Sequence, residues 1–98
     1  MNSLALTRRA LGDLQGARDL FEETLAARRR VLGEDHLWTL LTMSYLAETL
    51  RALGDLRGAL ELHKQTLAAR QRVLGPDHPD TLASTNNLAA VHRQLAEP

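Results

Sequence analysis

The stretch Leu53-Gly54-Asp55-Leu56-Arg57-Gly58-Ala59 decides the fold, because the chain carries a close copy of it 42 positions earlier. The earlier copy is Leu11-Gly12-Asp13-Leu14-Gln15-Gly16-Ala17. The likeness continues downstream, where Arg28-Arg29-Arg30-Val31-Leu32-Gly33 stands one period before Arg70-Gln71-Arg72-Val73-Leu74-Gly75. A fixed period in this range predicts supersecondary units that stack on one another and share a continuous core.

Each unit is predicted to contain two helices, which we name helix A and helix B in chain order. Both have apolar or small residues every three to four positions, which is the spacing of an amphipathic helix. Helix A ends at Gly54, and helix B ends at Gly33 or Gly75, because glycine tolerates the positive φ of a helix C-terminus. The core-facing positions include Ala17, Leu20, Phe21, Leu25, Leu40, Met43, Leu46, Ala47 and Leu50.

The predicted fold is all-α: antiparallel helix-hairpin repeats stacked as a short α-solenoid, with five helices in the order A-B-A-B-A. The first helix A is represented only by Met1–Leu11. The linker Gly33-Glu34-Asp35-His36 is long enough only for an antiparallel turn, and either Asp35 or His36 is expected to cap the next helix A. A single domain would comprise a partial repeat 1–33, a full repeat 34–75 and a terminal half repeat 76–98.

Composition narrows the functional classes. Twelve Lys or Arg residues balance twelve Asp or Glu residues, so the formal net charge is zero. A neutral chain lacks the positive field that non-specific binding to nucleic acid or to an anionic membrane requires. There is no cysteine, which excludes disulfides and thiolate metal sites and fits a cytoplasmic protein. We therefore expect a cytoplasmic protein without a nucleic-acid, membrane or cofactor partner.

The histidines are the main candidates for chemistry, and their positions favour structural roles. His36 and His78 occupy equivalent turns, and equivalent turns of a stack do not converge on one metal ion. His63 replaces Phe21 on a core-facing position, so we expect a buried or half-buried neutral imidazole, and His92 is interpreted in the same way. No Ser-His-Asp set or phosphate-binding glycine loop is evident, so neither catalysis nor a metal site is predicted.

The basic run Arg28-Arg29-Arg30 on helix B has a partial copy at Arg70 and Arg72. It could be a patch for nucleic acid or the outer, solvated face of the helix. The second interpretation is favoured because acidic residues balance the run at helical spacing, namely Asp19, Glu22, Glu23 and Glu61.

The sequence Leu46-Ala47-x-x-Leu50, then Gly54, then Ala59-x-x-x-His63 resembles the tetratricopeptide repeat pattern of Leu, small residue, large apolar residue, Ala and aromatic residue. The turn Leu74-Gly75-Pro76-Asp77-His78-Pro79-Asp80-Thr81-Leu82 is similar to the turns of the kinesin light chain type of this repeat. The first turn departs from that pattern, since Leu37 and Trp38 stand where the second has Pro79 and Asp80. The resemblance implies a scaffold that binds a peptide or a protein, and no enzyme.

The resemblance also implies a partner-binding groove, because the A helices line the concave surface of tetratricopeptide arrays. The register of Gly54 assigns to this groove Arg9, Leu41, Ser44, Glu48, Arg51, Asn86, Ala90 and Arg93. Arg9, Arg51 and Arg93 recur once per repeat, and such a ladder suits an acidic or C-terminal peptide. The alternative is that these are ordinary solvent-facing positions of a helix.

A competing hypothesis is self-assembly, most simply as a dimer. The terminal units have no polar cap, although solenoid units normally bury their apolar faces on neighbours. The middle helix A is apolar on nearly every side, which predicts burial on every side. The residues expected to mediate self-association are Leu37, Trp38, Leu41, Tyr45, Leu82, Leu88, Val91 and Leu95.

Overall fold

The computed structural model describes residues 12–97, which form four helices and no strand. These are α1 (Leu14–Leu32), α2 (Leu37–Ala52), α3 (Leu56–Leu74) and α4 (Pro79–Ala96). The all-α prediction is confirmed, with α1 and α3 as B helices and α2 and α4 as A helices. The predicted count of five helices is not matched, because the first helix A, Met1–Leu11, lies outside the described residues.

The helices stack in chain order. The main contacts join α1 to α2, α2 to α3 and α3 to α4, so each inner helix is packed between its two neighbours in the sequence. This order follows from the short turns, which allow only antiparallel packing of adjacent helices. Among the described helices, α4 is covered on one side only, by α3.

The same kinds of cap start equivalent helices. Asp13 Oδ1 accepts a hydrogen bond from the backbone N–H of Gly16, and Asp55 Oδ1 accepts one from Gly58, both at 2.9 Å. His36 is the cap of α2, since its Nδ1 accepts from the backbone N–H of Trp38 at 3.1 Å. His78 caps α4 through the same bond to the N–H of Asp80. The turn histidines therefore serve the helix N-termini, which otherwise leave donors unsatisfied.

The B helices end at glycines with an unusual backbone conformation. Gly33 has φ 93° and ψ 165°, and Gly75 has φ 91° and ψ 159°. This region is open essentially to glycine alone. The periodic glycines thus fix the point at which each helix B turns into the next helix A.

Small and hydroxylated residues let the helices approach closely. Ala17, Ala47 and Ala59 are fully buried, as expected for positions where the helices cross. Several buried threonines satisfy their hydroxyls within their own helix: Thr24 Oγ1 donates to the carbonyl O of Leu20 at 2.8 Å, and its counterpart one period later makes the equivalent bond. Because the hydrogen bond stays within one helix, a polar group is buried without an unsatisfied donor.

Candidate partner-binding surfaces

The groove predicted on the A helices is described on α2 and α4, whereas Arg9 lies outside the described residues. Its other members differ in exposure: Ser44 is buried, Leu41, Glu48, Arg51 and Ala90 are half-buried, and Asn86 and Arg93 are exposed. Asn86, Ala90 and Arg93 are spaced by four and then three residues, so they share one face of α4. The accessible polar groups of the predicted groove are therefore mainly on α4.

Arg51 is already engaged within the chain. Its Nε lies 3.2 Å from Glu48 Oε2, and its Nη1 donates to Gln94 Oε1 on α4 at 3.2 Å. The guanidinium thus joins two successive A helices, and an acidic ligand would compete with Glu48 for it. Arg93 makes no ion pair or side-chain hydrogen bond within residues 12–97. Of these two arginines of the predicted ladder, Arg93 is therefore more accessible to a ligand than Arg51.

Glu48 also approaches a buried histidine. His63 on α3 is fully buried, which confirms its predicted core position, and its Nε2 lies 3.3 Å from Glu48 Oε1. The two atoms are not aligned for a hydrogen bond, and both ring nitrogens of His63 lack one. One period earlier, Phe21 is equally buried and packs with its ring centre 5.7 Å from that of Tyr45. The second repeat thus holds a polar pair at a position where the first holds an aromatic ring.

The prediction for His92 is wrong, because this residue is exposed. Its counterpart one period earlier is Leu50, which is buried. The physical reason is that α3 covers this side of α2, whereas no described helix covers the same side of α4.

The prediction that the arginines of helix B lie on a solvated outer face is wrong for Arg28 and for Arg70, its counterpart one period later. Arg28 is half-buried, and its Nη1 donates to the carbonyl O of Trp38 at 3.1 Å and to Thr42 Oγ1 at 3.0 Å. The side chain therefore links the last turns of α1 to the first turns of α2.

Arg70 makes the same link one period later, between α3 and α4. Its Nη1 donates to the carbonyl O of Asp80 at 3.3 Å and to Ser84 Oγ at 2.8 Å. Arg70 is buried, and burial lowers its pKa, while the charge of Asp80 acts in the opposite direction. The signal in the sequence was an arginine in both repeats with a hydroxyl residue 14 positions further on.

Trp38 forms an exposed apolar surface at the junction of α1 and α2. Its side chain is 58% exposed, and the guanidinium carbon of Arg28 lies 5.5 Å from its ring centre. The ring forms one wall of a pocket of about 340 Å³, whose other walls include Ala27 and Val31 of α1. Val31 is 73% exposed, so this surface is open to solvent.

The residues predicted for self-association divide into three groups. Leu37, Trp38, Leu82 and Leu95 are exposed, Leu41, Tyr45 and Leu88 are half-buried, and Val91 is fully buried. Val91 is therefore removed from the candidate surface, because it belongs to the core.

No three His, Asp or Glu side chains of residues 12–97 converge as a metal site would require. None of the four described helices is long and apolar enough to cross a bilayer.

A family model described as tetratricopeptide repeat matches residues 1–72 and, a second time, residues 45–98. Among solved structures, the nearly identical TPR-like repeats of a kinesin light chain from Podosopora anserina superpose with a TM-score of 0.88 at 30% identity. The match covers 96% of this chain and 44% of that chain, and a single-substitution variant of the same protein gives the same values. No curated protein sequence matches significantly.

The two matched segments of the family model together span the chain. The chain is shorter than half of the kinesin light chain structure that it matches. The chain belongs to the tetratricopeptide repeat family, and its repeats are of the kinesin light chain type.

Proposed function

We propose that this chain is a protein-interaction module that binds a peptide or protein along the predicted groove of its A helices, without catalysis of its own. Repeats of this family generally mediate protein–protein interactions. The observation that supports the groove here is the exposed pair Asn86 and Arg93 on one face of α4, neither of which makes a side-chain hydrogen bond or ion pair within residues 12–97.

The proposed ligand is an acidic segment or a C-terminal carboxylate. Arg93 offers its guanidinium fork to a carboxylate, and the amide of Asn86 can hold an extended peptide backbone. Arg51 contributes less, because Glu48 already occupies part of its fork. Exposed ion pairs contribute only about 0–1 kcal/mol each, so binding should be weak and should weaken further at high salt.

The test is a pull-down with the wild-type chain and with Asn86→Ala, Arg51→Ala and Arg93→Ala. Arg57→Ala is the matched control, since Arg57 is exposed on helix B and has no ion pair in the described residues. The proposal expects a partner that the Asn86 and Arg93 variants lose and the control retains. Retention by all variants, or binding that is equal at low and high salt, would contradict the groove.

The second candidate function is self-assembly, for which the exposure of Leu37, Trp38, Leu82 and Leu95 is the supporting observation. Burying one such side chain stabilises an interface by roughly 1.5–3 kcal/mol, so several could offset an association cost of about 4–15 kcal/mol. Sedimentation at several concentrations is the measurement. Trp38→Asp should weaken association more than Arg29→Asp, whose native side chain is paired with Glu34 at 3.0 Å.

A further inference from the structure

The chain contains its own example of how the start of a helix A packs on the end of its helix B. Arg72 Nη2 on α3 lies 2.6 Å from Asp35 Oδ1 in the turn before α2. Beside this ion pair, Leu40 of α2 and Ala69 of α3 line the same small pocket, and Leu40 is only 1% exposed. An ion pair and two apolar side chains therefore lie together where these two helix ends pack.

The residue types of each half recur at another place in residues 12–97, where they make no such ion pair. One period before Ala69 and Arg72, α1 carries Ala27 and Arg30. Arg30 is exposed and makes no ion pair in the described part of the chain. The neighbouring Val31 is 73% exposed. The end of α1 thus presents a basic and apolar surface like the one that α3 uses to hold α2.

The complementary half lies at the other end of the stack. One period after Asp35 and Leu40 come Asp77 and Leu82, at the start of α4. Asp77 is exposed and has no ion pair with residues 12–97, and Leu82 is 51% exposed. This end is acidic and apolar, so its charge and its apolar residue both complement those of α1.

We propose that the start of α4 in one copy, Asp77–Leu82, docks on the end of α1 in a second copy, Ala27–Val31. Asp77 of one copy then pairs with Arg30 of the next, as Asp35 pairs with Arg72 inside the chain. Leu82 packs against Ala27 and Val31. Since the formal net charge is zero, no overall repulsion keeps the copies apart. This inference rests on the self-assembly candidate and uses no residue of the groove.

The two docking surfaces are different, so the contact is heterologous. Each copy that has used one surface still presents the other, and association therefore continues head to tail instead of ending at a symmetric dimer. The mean mass should rise steadily with concentration.

A complementation experiment tests the pairing of the two surfaces. Leu82→Glu removes one surface and Val31→Glu removes the other, and both sites are exposed enough for the variants to fold, which circular dichroism checks. Each variant alone should sediment as a monomer, with association weakened about tenfold or more, as for an anchor residue of an interface. An equimolar mixture retains one intact contact and should form a one-to-one dimer that grows no further.

The ion pair is tested by charge exchange. Arg30→Glu and Asp77→Arg should each weaken association by about twofold to fivefold, because each places like charges together at an exposed site. Combining both changes in one chain should restore association. Arg57→Glu is the matched control and should leave it unchanged.

A wild-type chain that stays monomeric over the whole accessible concentration range would overturn the proposal. So would a case in which only one of Leu82→Glu and Val31→Glu disrupts association, because a symmetric contact would then be in use. A mixture that fails to form the dimer would overturn it as well. If either glutamate variant unfolds, Leu82→Ser and Val31→Ser provide the same test. Asn86→Ala with Arg93→Ala should leave association intact, which separates this result from failure of the groove.

Discussion

Helices α2 and α4 hold the same position in successive repeats, but one is enclosed and the other is half open. Leu40 on α2 is 1% exposed, whereas its counterpart Leu82 on α4 is 51% exposed. The local sequence Thr-Leu is the same at both places. The difference comes from the neighbours, since α2 packs between α1 and α3, while α4 packs mainly on α3 among the described helices. Burial in a repeat stack is therefore decided by which helix comes next.

Some, but not all, apolar residues of α2 have polar counterparts on the more open α4. Met43 and Leu50 of α2 are buried, and their counterparts on α4 are the exposed polar residues Thr85 and His92. Leu82 has not been exchanged for a polar residue, although it is exposed. An apolar residue kept on an open face is a candidate for contact with another molecule.

The largest expected effect on stability concerns the equivalent residues Leu40 and Leu82, which differ in burial. Leu40→Ala should lower the free energy of unfolding by about 2–5 kcal/mol, because it removes a fully buried side chain and leaves a cavity. Leu82→Ala should lower it by about 0.5 kcal/mol or less, as for other exposed positions. Urea denaturation of both variants measures the difference. Equal losses would mean that the open face of α4 is covered in solution.

The next largest loss of stability is expected at the two arginines that link a helix B to the following helix A. Arg70→Met leaves the buried Ser84 Oγ, and the partly buried carbonyl O of Asp80, without this donor, which should cost about 1–3 kcal/mol of unfolding free energy. Arg28→Met should cost less, because Arg28 is only half-buried and water can replace it. Chemical denaturation of the two variants gives the order, and a greater loss at Arg28 would contradict it.

A smaller effect on stability is expected at His63, where the two repeats differ in residue type. His63→Phe together with Glu48→Leu places in the second repeat the residue types that the first repeat has at Phe21 and Leu6. The double variant should gain about 1 kcal/mol of unfolding free energy, since an apolar pair replaces a buried imidazole and a half-buried carboxylate that lack a good hydrogen bond to each other. A thermal melt is the readout. A clear loss of stability would show that the polar pair stabilises the fold.

Periodicity alone predicted the parts of the fold that depend on residues close in the chain. The glycine ends of the helices, the histidine caps and the buried Ala17 and Ala59 all repeat with the sequence, and all are present. The link made by Arg28 escaped prediction, because its burial depends on a hydroxyl supplied by another helix. The engagement of Arg51 also escaped, since Gln94 lies 43 positions away.

The candidate surfaces show the same limit. Leu82 and Val91 are apolar residues of one helix, and both were predicted to mediate self-association. Only the packing against α3 distinguishes them: Val91 is fully buried and Leu82 is not. Sequence pattern identifies which residues are apolar, but the arrangement of helices decides which of those remain available to a partner.

Native-state hydrogen exchange shows whether α2 and α4 differ in stability because of their neighbours. The measurement compares backbone amides of the two helices at a concentration where the protein sediments as a monomer. Exchange in α2 should require opening close to global unfolding, whereas α4 should exchange through a local opening of clearly lower free energy. Equal protection of α2 and α4 in the monomer would mean that the neighbouring helices do not cause the difference.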